Sequence, residues 1–170
     1  GVGSVILGAI LALIPDTFIN SLILEIFMSI SARNQLIATV NEIQTGAVND
    51  VIHLTLASGD KLTAVITHNS TERLSLTVGR EVVAIFKAPA VMLSVGDELI
   101  LSSCNQLSGV VEKIVDGAVN SEVHVKTENG TVIVAIITAY SRQNLKLEVG
   151  SAVTASIKAS NVVLGVKAKS

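Results

Sequence analysis

The chain has 170 residues, room for one ordinary domain or two small ones of about 65 residues each. Its apolar share is 49%, mostly Val, Ile, Leu and Ala, with no Trp, one Tyr and three Phe, a composition that favours strands. Formal charge is −2 with no basic run, and the lone cysteine is Cys104. This excludes the phosphate-neutralising and base-stacking surfaces of a direct nucleic-acid partner, an intramolecular disulfide and a CxxC metal site.

Residues 1–27, "GVGSVILGAILALIPDTFINSLILEIF", carry only Asp16 and Glu25 as charges. Val2 to Ile14 is 13 residues, too short to span a bilayer alone. Pro15 then interrupts any helix, and "DTFINSLILEIF" reads as a short amphipathic helix capped by Asp16. There is no positive n-region of a signal peptide and no basic helix-turn-helix. The segment is expected to be a helical extension, with membrane association as a secondary reading.

From residue 35 the pattern turns to strands. "QLIATVNEI" and "DVIHLTLAS" alternate or run apolar, "SGDK" offers a turn, and "LTAVIT" follows. "STERLSL" breaks the alternation and predicts one or two helical turns with Asn69 or Ser70 as N-cap. "VGREVVAIFKA" and "AVMLSV" return to strand, and "SVGDELI" (94–100) reads as a linker.

The same series then recurs. Adding 71 carries Gly46 to Gly117, His53 to His124, Gly59 to Gly130, Thr67 to Thr138, Gly79 to Gly150 and Lys87 to Lys158. Residues 31–95 and 102–166 share 27 identities in 65 positions without a gap. This is a tandem duplication. Five short strands and one short helix per copy predict an all-β fold of two OB-like five-stranded Greek-key barrels. The boundaries drawn from sequence are 1–27 for the extension, 28–96 for the first module and 97–170 for the second.

Few polar positions are duplicated outside the apolar pattern. They are Ser31 and Asn34 with Ser102 and Asn105, Thr67 and Ser70 with Thr138 and Ser141, and Lys87 with Lys158. A "TxxS" opening a helix offers hydroxyls and free N–H groups to an anion, and a lysine nearby balances charge. No duplicated carboxylate joins the set, which argues against a cation site. Each position also has a structural alternative: Thr67 and Ser70 as caps, Lys87 as a solvated strand end, Asn34 and Asn105 as turn residues. His53 and His124 sit within apolar strands and read as packing residues, and "GAVN" (46–49, 117–120) as a turn.

"MSISARNQL", "GAVN", "VGREVVAIFKAP" and "IKASNVVLGV" resemble the molbindins, proteins built from Mop domains that bind molybdate and tungstate. The tandem is similar both to a double-Mop molbindin and to the C-terminal sensing half of the molybdate-responsive transcription regulator. The resemblance implies OB-like modules assembled about a threefold axis as a trimer, cytoplasmic, with oxyanions held at module interfaces. The duplicated set holds no general base other than the strand-bound histidines, so no catalysis is expected, and no cofactor or free metal cation is called for. The family's ligand residues carry over to Ser31, Ala32, Arg33 and Asn34, to Thr67 and Ser70, and to Lys87 and Ala88. In the second module they fall on Ser102, Ser103, Cys104 and Asn105, on Thr138 and Ser141, and on Lys158, Ala159 and Ser160. Cys104 stands where the pattern has arginine, so two affinity classes are expected. Storage of molybdate or tungstate is the function implied, with the effector-sensing part of a regulator as the alternative.

Overall fold

The computed structural model describes residues 30–97 and 99–168. The chain divides into two units, Gly1–Ser31 and Ala32–Ser170, and the architecture below is that of the second. The expected helical extension, and with it the membrane reading, lies outside the described residues.

The first repeat forms β1 (Asn34–Gln44), β2 (Asn49–Leu56), β3 (Lys61–Thr67), helix α1 (His68–Arg73) and β4 (Glu81–Phe86). A 3-10 turn at Ala88–Ala90 then leads into β5 (Val91–Ser94). The second repeat gives β6 (Cys104–Asp116), β7 (Asn120–Thr127), β8 (Val132–Thr138), α2 (Ala139–Asn144) and β9 (Ala152–Lys158). A 3-10 turn at Ala159–Asn161 precedes β10 (Val163–Gly165). In β2 the side chains of Asp50, Ile52, Leu54 and Leu56 are buried in strict alternation, the period-2 signature of one inward face. In β4 Val82 to Phe86 are all buried, as in a strand covered on both faces.

Both long first strands carry an irregularity in the same place, between Val40 and Glu42 in β1 and between Val111 and Lys113 in β6. A bulge bends and twists a strand, which lets each sheet curl. The GAVN turns need glycine for lack of space. A Cβ on Gly46 would collide with the Asn49 carbonyl, and one on Gly117 would sit 2.8 Å from that of Asn120.

Two curled antiparallel sheets of five strands result, in the orders β10-β4-β1-β2-β3 and β5-β9-β6-β7-β8. They match the expected tandem of OB-like barrels, with one difference. The fifth strand of each sheet comes from the other repeat: β5 pairs with β9, and β10 pairs with β4. The physical reason lies in the 3-10 turns. The turn at Ala88–Ala90 carries the chain onto β8, and the turn 159–161 carries it onto β3. One apolar cluster therefore draws on both repeats, from Ala38, Ile52 and Phe86 to Leu107, Ile133, Ile157 and Leu164.

Candidate functional site

The duplicated polar residues gather in two kinds of place. The segments 31–34 and 102–105 enter β1 and β6, and the register sets them beside the ends of β4 and β9. Asn34 pairs with Phe86, next to Lys87, and Cys104 pairs with Lys158. Ala159 N–H donates to the Ser103 carbonyl at 2.8 Å. Lys87 and Lys158 are exposed, and among the described residues neither side chain has an ion pair or hydrogen bond. Ala88 and Ala159 are buried at the 3-10 turns, and Ser160 is exposed.

Asn34 and Asn105 are clamps between the repeats. The Asn34 amide donates to the Val134 carbonyl and accepts from the Val134 N–H, both at 2.8 Å. Asn105 does the same to Thr63, at 2.8 and 2.7 Å. Thr63 and Val134 are twins under the 71-residue shift, so the two repeats face each other through a pseudo-twofold relation. Both side chains are engaged in these bonds and are not turn residues.

The remaining pairs lie at the helix starts. Thr67, and neither Asn69 nor Ser70, is the N-cap: its backbone is extended at φ −70° and ψ 147°, and its hydroxyl accepts from Ser70 N–H at 3.1 Å. Its hydroxyl also shares a 2.8 Å hydrogen bond with Ser70 Oγ. Thr138 and Ser141 repeat the arrangement at 3.0 and 2.9 Å. Helices of six residues carry little macrodipole, so the hydroxyls rather than the dipole distinguish these positions. Thr67 lies four residues beyond Thr63 on β3, roughly 13 Å at the usual strand rise. The Asn105 clamp and the Thr67 cap therefore mark two separate points along β3.

The two entry segments are not alike. Ser31 is exposed, Ala32 accepts from the Gln35 amide at 2.8 Å, and β1 begins only at Asn34. In the second copy β6 begins one position earlier, at Cys104, and Ser103 adopts φ 57° next to exposed Ser102. Arg33 pairs with Glu122 on β7 of the other repeat at 2.6 Å. The second Glu122 oxygen meets His124 Nε2, also at 2.6 Å. The Arg33 guanidinium, and secondarily His124, hold the Glu122 carboxyl below its ordinary pKa against the opposing effect of burial. His53, the twin of His124, instead contacts Thr63 Oγ1 at 3.2 Å.

Two further carboxylates were invisible to a search for duplicated residues, because their twins are uncharged. Asp50, fully buried, is held ionised by the Thr71 hydroxyl, against burial, with help from Gly46 N–H and His68. The same contact with Asp50 raises the His68 pKa. Asp60 works against its burial through Thr127, Thr131, Asn129 and Ser58, which together hold its pKa low. Three of those partners belong to the other repeat, at 2.6 to 2.8 Å. Their twins are Ser121 for Asp50 and Thr131 for Asp60. A search for paired differences between the copies would have found them.

Comparison with known proteins adds the following. The TOBE domain matches residues 30–93 and again 102–164. Among curated relatives, the molybdenum-pterin-binding protein MopA of Rhodobacter capsulatus is 42% identical over 151 residues, covering 88% of this chain and 57% of MopA. The molybdenum transport protein ModE of Azotobacter vinelandii is 38% identical over 139 residues, covering 82% of this chain and 52% of ModE. The chain thus spans little more than half the length of these relatives. A solved structure of the cytoplasmic molybdate-binding protein ModG, with molybdate bound, superposes with a TM-score of 0.78 at 45% identity, over 82% of this chain and 100% of ModG. Two matched domains in register with the duplication, and relatives of this similarity along most of the chain, establish that it belongs to the TOBE-domain family and carries two TOBE domains in tandem.

Proposed function

We propose that the chain binds molybdate or tungstate without catalysis and serves to store these oxyanions in the cytoplasm. The observation that carries this reading is the similarity to molybdate-bound ModG along the whole of that protein. The chemistry is consistent with it. Each repeat offers a lysine without an ion pair or hydrogen bond among the described residues, beside a 3-10 turn that in the second repeat also carries Ser160; ammonium, hydroxyl and backbone N–H are donors suited to a tetrahedral dianion. Net charge is −2, so attraction must be local.

The ligand set is that of the entry segments (31–34, 102–105), the lysine turns (Lys87 with Ala88; Lys158 with Ala159 and Ser160) and the Thr67–Ser70 and Thr138–Ser141 pairs. In this reading each group is half of a site that a second copy completes. A homo-oligomer, a trimer of two-module chains, is the assembly proposed. Val48, Val119, Val78 and Val149, exposed at twin positions, offer it apolar surface.

Titration calorimetry with molybdate, tungstate, sulfate and phosphate tests the reading. Molybdate and tungstate should bind far more tightly than sulfate, since equal charge leaves cavity size to discriminate; equal affinity for sulfate overturns it. Sedimentation at micromolar concentration tests the shared sites, and a monomer with and without molybdate would count against them. The similarity to ModE favours a second reading, the effector-sensing part of a regulator. It is separated from storage by whether molybdate changes DNA binding by the full-length gene product.

A further inference from the structure

The two copies differ at Arg33 and Cys104, and they differ again at the positions opposite. The pseudo-twofold relation that sends Asn34–Val134 to Asn105–Thr63 sends Arg33–Glu122 to Cys104–Val51. An arginine faces a glutamate in one copy; in the other a cysteine takes the arginine's place and a valine the glutamate's. Paired differences of this kind fit one interaction kept in one copy and lost in the other. The backbone differs with it, since Ser103 takes a positive φ and β6 starts earlier than β1.

We propose that Glu122 is a positioning residue for the oxyanion-binding segment of the first repeat. Through Arg33 it ties Ala32–Asn34 across the junction to β7, an anchor that the segment of the second repeat lacks. The inference rests on the oxyanion reading above. Both Glu122 oxygens are committed, one to Arg33 and one to His124, so the carboxylate is itself oriented. The Glu122 side chain is 22% exposed and that of Arg33 52% exposed. The guanidinium therefore acts as a strut to the other repeat, and the segment's backbone N–H groups remain for the anion.

The sign of one substitution separates this from direct ligation by Arg33. If the guanidinium touched the anion, Glu122 would compete for it, and Glu122→Gln would free the arginine and remove a nearby negative charge. Affinity would rise or stay level. If Glu122 positions the segment, Glu122→Gln weakens one class of molybdate sites by about three- to tenfold, a range discounted from buried charged pairs because Arg33 is half exposed. Arg33→Ala weakens the same class equally, and the double variant no further, as expected for one interacting pair.

The experiment is molybdate calorimetry on the full chain and the three variants at fixed ionic strength, with amide hydrogen exchange of residues 32–34 measured without anion. Support is the common weakening together with faster exchange in both single variants. Unchanged or tighter binding in Glu122→Gln, additive losses, or unchanged exchange overturns the proposal. Wild-type protein that takes up no molybdate overturns the oxyanion reading itself and the role claimed for the strut, and the exchange arm then still decides whether the strut orders the segment.

Discussion

At the scale of the residue, the two asparagines show how one side chain can do the work of a ladder. Asn34 is buried and presents one donor and one acceptor to the two backbone groups of Val134. Asn34→Ala leaves both backbone groups without a partner and is expected to cost about 2–4 kcal/mol, read from the urea midpoint. Asn34→Asp should be no milder, because a carboxylate can accept from the N–H but cannot donate to the carbonyl. Cys104→Arg makes the complementary case. The sequence pattern suggests that it would restore a lost ligand, yet Val51 offers no carboxylate and the backbone at Ser103 has another shape. Molybdate isotherms of Cys104→Arg should overlay those of the wild type, and a tightened weak class would show that arginine binds the anion directly.

At the scale of the element, the short helices are held by their ends. Thr67 and Thr138 cap the N-termini. At the C-termini Ser75 and Lys146 turn left-handed at φ 51° and 53°. Leu76 and Leu147 then donate back to Thr71 and Arg142 while burying their side chains, the Schellman arrangement. Thr67→Ala should cost about 1 kcal/mol with an unchanged denaturant slope. The exchanged strands make a stronger prediction. Leu164, from the second repeat, is 6% exposed in the core beside β4 of the first. Leu164→Ala is expected to cost about 2–4 kcal/mol. Amide exchange should accelerate first in Val83–Ile85, its ladder partners, rather than in β9. Acceleration confined to β9 would contradict the exchange of strands.

At the scale of the whole molecule, carboxylates act both across the junction between repeats (Glu122, Asp60) and within the first repeat (Asp50 with His68), and the resulting pH dependence has a definite sign. Glu122, Asp50 and Asp60 have pKa values lowered from 4.5, 3.8 and 3.8. Their contribution is present above those ordinary values and is lost as pH falls through the lowered ones. His68 has a pKa raised from 6.5, so its contribution is complete below that value and is lost as pH rises through the raised one. Stability should therefore be greatest between about pH 4.5 and 6.5 and decline on both sides. Denaturant midpoints measured across that range and beyond both of its ends check it. His68→Ala should flatten the alkaline limb, and Glu122→Gln should make the acid limb shallower. A profile of His68→Ala parallel to that of the wild type above neutrality would rule out His68 as the source of the alkaline slope.

The duplication, the strands, the GAVN turns and the apolar faces were legible in the sequence because each is a local pattern: a period of two, a glycine forced by close approach, an identity repeated at a fixed shift. The same patterns, with the quoted motifs, sufficed for the family. The sequence left the helix cap open, reading Asn69 or Ser70 from the pattern and Thr67 as an alternative, until backbone angles chose Thr67. Tertiary structure alone decided what crosses between the copies. Which sheet β5 and β10 join depends on where a 3-10 turn sends the chain, and propensity says nothing of that. Asn34, Arg33 and Asp60 find their partners 100, 89 and about 70 residues away. Such contacts have no periodicity to betray them, and the charged ones join residues whose twins are uncharged, so a search for what the repeats share was bound to pass over what makes them differ.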